Sequence, residues 1–128
     1  MKHKIIGEPF TLPDGTVLPL SRAVRAGDFV FLSGQLGIDE NFKLASGIIN
    51  QTQLCIGNID TILKSISLSL ENIVKTTVWL TDIEHFAAFN LCYAELFSEL
   101  PPARSTVCSA LAIPGALIEI EVVAFDPR

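Results

Sequence analysis

The sequence predicts an α+β fold, a mixed β-sheet with two helices packed on one of its faces. Two observations predict the layering. Apolar positions recur at helical spacing over residues 47–70 and again over 83–98, and strand-like runs flank both stretches. The order is then hairpin, strand, helix, strand, helix, strand, strand, and right-handed strand–helix–strand crossovers land both helices on the same side. Composition adds a third observation. Residues 1–128 read as one domain, in which apolar residues make up 49% and charged residues 18%, with a mean hydropathy of +0.46. That is more apolar surface than one small core needs, so the second sheet face is expected to be buried in an obligate homo-oligomer.

Each element has its own signal. Residues 8–20 hold Pro9, Pro13 and Pro19, and Pro13-Asp14-Gly15 is turn chemistry between Phe10-Thr11-Leu12 and Thr16-Val17-Leu18, a short peripheral hairpin. Ala26-Gly27-Asp28 separates a weak strand near 21–25 from Phe29-Val30-Phe31-Leu32-Ser33, which is apolar on both alternating faces and reads as a central strand. Over 47–70, Ile48, Cys55, Ile59, Ile62, Ile66 and Leu70 form the packing stripe of a long amphipathic helix, with Asn50, Asn58, Lys64 and Ser65 between them. Its Ser, Thr and Asn residues are mediocre helix formers, so packing must supply much of its stability. Ile73 to Leu80 is rich in β-branched residues, carries the single tryptophan, Trp79, and reads as a strand. Asp82 can cap a second helix over 83–98, whose buried side would be Phe86, Phe89, Tyr93, Leu96 and Phe97. Pro101-Pro102 stops it. Strands follow over 104–110 and 117–125, joined by a loop with Pro114-Gly115.

The totals exclude several functions. A net charge of −5, a pI near 4.9 and nine scattered basic residues do not supply the clustered cations that a phosphate backbone requires. No nucleic-acid partner is expected. No apolar run reaches the ~18–20 residues that span a bilayer, and the N-terminus lacks the apolar core of a signal peptide, so no membrane partner is expected either. Cys55, Cys92 and Cys108 are odd in number and show no Cys-x-x-Cys pairing. They are expected as buried thiols in a reducing, cytoplasmic protein, with no disulfide framework or zinc site.

Two features could carry chemistry. Arg104 opens a strand just after a rigid turn, with Thr106 on the same face and Ser105 on the other. Its guanidinium could grip a carboxylate with two parallel hydrogen bonds; it could equally be a surface residue or part of a structural ion pair. In Ile118-Glu119-Ile120-Glu121-Val122 the two glutamates share one strand face. A half-exposed strand explains that pattern, and so would a carboxylate placed to hold a water or move a proton, on a strand taken to lie beside that of Arg104. Ser33-Gly34-Gln35 ends a central strand, where a hydroxyl and a backbone N–H could face a ligand or simply turn the chain. Asn90 lies on an aromatic-rich helix and needs a partner for its amide. His3 and His85 have no nucleophile or carboxylate at motif spacing, so neither a triad nor a metal site is supported.

These residues together resemble a known family. Pro102-Ala103-Arg104-Ser105-x-Val107 followed by Ile118-Glu119-Ile120 is similar to the signature of the Rid family, the reactive-intermediate (enamine/imine) deaminases, also labelled YjgF-like or L-PSP endoribonuclease. Lys75-Thr76-Thr77-Val78-Trp79-Leu80-Thr81-Asp82 and Phe31-Leu32-Ser33-Gly34-Gln35 resemble further family blocks, and the likeness runs from about residue 20 to the end. The resemblance implies a homotrimer of chorismate-mutase-like subunits, their sheets packed around a central barrel, with ligand sites in the clefts between subunits. It implies that Arg104 binds a substrate carboxylate with help from the Gly34 N–H, that Glu119 positions the hydrolytic water, and that Ser33, Asn90, Thr106 and Leu20 line the cleft. The implied reaction is hydrolysis of 2-iminoalkanoates, formed from enamines such as 2-aminoacrylate, to 2-oxo acids and ammonia, without metal or organic cofactor. Leu20 and Thr106 depart from the family pattern, standing where tyrosine and often cysteine occur. The first change removes an aromatic wall and a hydroxyl, which leaves room for a different substrate or for a non-catalytic trimer that binds carboxylate metabolites. RNA cleavage ranks last.

Overall fold

The computed structural model describes residues 3–127. Seven strands, β1 (Lys4–Ile6), β2 (Ala23–Ala26), β3 (Phe29–Leu32), β4 (Gln35–Leu36), β5 (Ile73–Leu80), β6 (Ala103–Cys108) and β7 (Ile118–Phe125), form one sheet, with helices α1 (Gly47–Lys64) and α2 (Phe86–Leu96). The strand order is β1-β2-β3-β7-β5-β6, and β4 also pairs with β7. β5 and β6 run parallel, and the other pairings are antiparallel.

The core lies between the sheet and the two helices. From β7 come Ile118, Ile120, Val122 and Ala124, from β5 Ile73, Val78 and Leu80, from β3 Val30 and Leu32, all buried against Cys55, Ile56, Ile59 and Leu63 of α1 and Phe89 of α2. Each Ile, Leu or Val so buried is worth about 1.5–3 kcal/mol. The opposite face is uncovered in the isolated chain. Phe29 and Phe31 of β3 are 42% and 46% exposed, and Val107 of β6 is 45% exposed. Phe29 stacks on its register partner Phe125 at 5.3 Å between centroids, so the patch is continuous across two strands.

The structure corrects several expectations. β1, which pairs with β2, had no recognised signal. The 8–20 hairpin folds back as expected but makes only an isolated bridge, Thr11 to Val17, because its prolines cannot donate to a ladder. α1 stops at Lys64, not at 70: Ser67 takes a left-handed φ of 64°, its N–H donates to Lys64 O (3.1 Å) and the Leu68 N–H donates to Leu63 O (2.9 Å). That is a Schellman stop built on serine instead of glycine. The buried stripe of α1 is rotated from the expected one, with Gln51 and Thr52 inside and Ile48, Ile62, Ile66 and Leu70 only partly buried. Asn58, expected on the wet side, donates to Leu36 O (3.0 Å) and Ile38 O (2.9 Å). A short 3₁₀ turn over Ile83–His85, capped by Asp82, precedes α2, and Phe86 and Leu96 are exposed, not buried. β6 ends at Cys108, which is exposed where a buried thiol was expected.

Gly37 shows how closely α1 rides on the bend that follows β4. A Cβ there would sit 2.5 Å from Gln51 O and 2.6 Å from Gln51 Cα, backbone that cannot move aside. Gly37→Ala should therefore destabilise the fold by about 1–3 kcal/mol, read as a lower urea midpoint with an unchanged slope.

Candidate functional site

Arg104 sits on the edge strand β6 in register with Thr76, on the helix-covered side of the sheet. Three rings of α2 cradle it: its guanidinium carbon lies 4.9 Å from the Tyr93 ring centroid, 5.2 Å from Phe89 and 5.8 Å from Phe86. The spacing 86, 89, 93 puts these residues on one face of the helix, and each ring presents its negative face to the cation at about 0.5–2 kcal/mol. Tyr93 is itself fixed by a 2.8 Å hydrogen bond between its hydroxyl and that of buried Thr76. Burial pushes the Tyr93 phenol up, against the Thr76 hydrogen bond and the nearby Arg104 charge. Among the described residues no acidic side chain pairs with Arg104. The groove beside it holds Asn90, Ala94, Ser98, Pro101 and Pro102. Asn90 Oδ1 and Thr106 Oγ1 are both buried without a hydrogen-bond partner, an arrangement costly enough to point to a missing polar group.

Glu119 belongs to β7, in register with Trp79 of β5 and Leu36 of β4, on the sheet face away from the helices. It lines a cavity of about 170 Å³ together with Leu20, Ser33 and Gly34. Its carboxylate rests directly on Gly34, where a Cβ would overlap Oε2 and come within 2.9 Å of Cδ, so any larger residue would push the carboxylate aside. The Ser33 hydroxyl donates to Ser21 O at 2.6 Å, so toward a ligand it can still accept but has no proton left to give. Burial raises the Glu119 carboxyl above its ordinary range, and the neighbouring Glu121 charge raises it further.

The structure thus gathers the candidate residues into two groups and keeps the groups apart. Arg104, Asn90 and Thr106 lie on one side, and Glu119, Gly34, Ser33 and Leu20 on the other. The expectation that Arg104 and Glu119 occupy adjacent strands is wrong. β5 lies between β6 and β7, because the parallel β5–α2–β6 crossover places β6 on one side of β5 and leaves the other side for β7. With the two residues also on opposite faces, one chain cannot bring both to one ligand. His3 is exposed ahead of β1 and His85 ends the 3₁₀ turn, neither joined to these groups. Phe89 and Tyr93 are buried in the core as expected and Phe86 is not; the sequence reading did not show that all three rings also face the Arg104 guanidinium. Among the described residues no cluster of His, Cys, Asp and Glu could hold a metal ion, and no helix is long and apolar enough to cross a membrane.

Known proteins match the chain in sequence and in fold. The endoribonuclease L-PSP family matches the chain over residues 14–126. A RutC family protein of Pyrococcus horikoshii is 39% identical over 127 residues, 98% of each chain. The chloroplastic Reactive Intermediate Deaminase A of Arabidopsis thaliana is 41% identical over 108 residues, covering 83% of this chain and 58% of that one. The crystal structure of Escherichia coli TdcF with bound serine superposes with a TM-score of 0.83 at 31% identity, covering 95% of this chain and 98% of the other. The chain belongs to the endoribonuclease L-PSP family, known also as the Rid or YjgF-like family, and has its fold.

The Tyr93–Thr76 bond that steadies the cradle can be tested alone. Tyr93→Phe leaves the buried Thr76 hydroxyl without a partner and should lower unfolding free energy by about 1–3 kcal/mol in urea titrations. Adding Thr76→Val removes the stranded hydroxyl and should restore part of that loss.

Proposed function

We propose, with family membership as the premise, that this chain hydrolyses small 2-imino acids to 2-oxo acids and ammonia at sites completed between copies of itself in a homotrimer. One observation carries the reading: a half-buried arginine without an acidic partner lies on one face and a desolvated glutamate in a cavity on the other, two halves of one chemistry that only a second copy can bring together. The uncovered apolar face, with Phe29, Phe31 and Val107, supports self-association. The serine bound to TdcF and the deaminase named among the relatives support an amino-acid-like ligand and a deamination.

In this mechanism Arg104 takes the substrate carboxylate in two parallel hydrogen bonds, its plane already set by the aromatic cradle. The unpartnered Asn90 Oδ1 is suited to accept from the imine N–H. Glu119, ionised, accepts a hydrogen bond from one water and turns the oxygen lone pair toward C2. The water oxygen bonds to C2 as the C=N π pair moves onto nitrogen, and Glu119 takes the water's proton. Returning that proton to nitrogen gives the 2-amino-2-hydroxy acid; Glu119 then takes the C2 hydroxyl proton and passes it to the same nitrogen, so the C–N bond breaks with its pair leaving on ammonia as the C2 carbonyl forms. An imine carbon is electrophilic already, so holding the two reactants in line can supply several kcal/mol without an activated nucleophile. The alternative, a trimer that binds small carboxylates without turnover, draws on the same TdcF serine complex and shares every step up to binding.

The test follows loss of 2-iminobutanoate, generated in place by an amino-acid oxidase, against its uncatalysed decay. Arg104→Ala should cut kcat/KM by about 100-fold or more, and Arg104→Lys should recover only part, since an ammonium cannot form the planar fork. Decay at the uncatalysed rate with wild-type protein, alongside measurable binding of 2-oxo acids, would select the binding alternative. A monomer mass at micromolar concentration would remove the site altogether. Because Glu119 acts ionised and Glu121 helps hold its pKa up, the rising acid limb of kcat/KM should move to lower pH in Glu121→Gln.

A further inference from the structure

The cavity that holds Glu119 is mostly hydrocarbon, and its construction bears on what the substrate carries beyond its imino acid. Phe10, Leu12, Leu18, Leu20, Phe42 and Ile113 line it, with Glu119, Ser33, Gly34, Gln35 and Arg22 as its polar part. Two loops build the wall. In the first, the Leu12 N–H donates to Thr16 O (2.8 Å) and the Leu18 N–H donates to Phe10 O (2.9 Å), while Asp14 Oδ1 accepts from the Thr16 N–H (2.9 Å). That cross-linking sets Phe10, Leu12 and Leu18 in place. In the second, Asp39 Oδ1 accepts from the N–H groups of Asn41 (2.8 Å) and Lys43 (3.0 Å), and the turn they close holds Phe42 at a φ of 63°.

A bulky residue in left-handed backbone is costly and persists only where its surroundings demand it. Here the Phe42 ring meets the edge of Phe10 at 5.5 Å and 75°, locking the two loops together at the cavity. Arg22 also lines the wall; its guanidinium lies 4.9 Å over the Phe10 ring and its Nε donates to Glu8 O at 3.2 Å, which ties the side chain to the first loop without neutralising its charge. Leu20, 43% exposed, presents only methyl groups. The volume, about 170 Å³, compares with the cavity of about 150 Å³, lined by Leu, Ile and Phe, that is known to hold a benzene ring. A three-carbon acid, with its single methyl, would leave most of that space empty.

Resting on the deaminase reading, we propose that this cavity selects 2-imino acids with a branched aliphatic or aromatic side chain, which lies against Leu12, Leu18, Leu20 and Phe10 while C2 faces Glu119.

The experiment titrates the wild-type chain calorimetrically with a series of 2-oxo acids as product probes: pyruvate, 2-oxobutanoate, 4-methyl-2-oxopentanoate, phenylpyruvate and 2-oxoglutarate. Kd should fall by about tenfold or more from pyruvate to 4-methyl-2-oxopentanoate, the scale on which an apolar pocket reads added methylenes. 2-Oxoglutarate should bind no more tightly than pyruvate. Leu12→Trp, which fills the cavity, and Leu20→Ser, at its exposed rim, should each narrow the ratio, with circular dichroism and the melting temperature confirming that both fold. Equal affinities along the series overturn the proposal, as does tightest binding of 2-oxoglutarate, which would assign the wall to Arg22, or no binding of any probe. Imine turnover separates the two readings. A steep binding series without turnover keeps the pocket and sinks the deaminase; turnover with a flat series does the reverse.

Discussion

The two-residue alternation of β7 is the constraint on which the rest of this structure depends. Ile118, Ile120, Val122 and Ala124 enter the core, so Glu119 and Glu121 must leave through the other face. β7 hydrogen-bonds to β3, β4 and β5, so its register sets that of half the sheet. A slip of one residue would bury two carboxylates and expose four apolar side chains, which fixes Glu119 more firmly than any local contact could. A buried amide secures the entry to the strand. Gln51 of α1, 3% exposed, accepts from the Leu117 N–H at 2.8 Å and donates to Gly115 O and Ala45 O. Gly37 lets α1 come close enough to make that clamp.

The same alternation explains why the candidate site divides. Between β5 and β6, Thr76 and Arg104 share the helix side, while between β5 and β7, Trp79 and Glu119 share the open side. The helix side offers aromatic rings that hold a cation without neutralising it. The open side offers a partly dry cavity that disfavours a charged carboxylate, raising the Glu119 pKa. A cation held without a counter-charge and a carboxyl whose pKa is raised by burial need different surroundings, and the sheet supplies them on opposite faces.

Much of this was legible in the sequence. Strands at 73–80 and 118–125 were readable because β-branched density and strict alternation are local signals. Arg104 and Glu119 stood out because charges are conspicuous among apolar neighbours. What failed was what depends on distant chain. Which strand neighbours which is decided by crossover geometry, so β5 was not seen between the two residues. β1 is three residues long and exists by pairing with β2. The end of α1 rests on a serine in a conformation that glycine usually marks, and nothing about Ser67 itself announces it. Phe89 and Tyr93 were legible as buried, but not as a cradle for Arg104, because rings that pack on a guanidinium and rings that pack on leucine share one spacing along a helix.

A heritable consequence follows from the two separated groups under the proposed trimer. Each chain lends its arginine to one cleft and its glutamate to another, so a defect at either position marks a different set of clefts. Chains of one allele lacking Arg104 and of another lacking Glu119 would be inert alone. Mixed in one cell, they assemble some rings in which both lesions fall on a single cleft and a neighbouring cleft receives an intact arginine and an intact glutamate. Two null alleles would then complement within one gene, and selection on this chain acts on pairs of gene copies as well as on each copy singly.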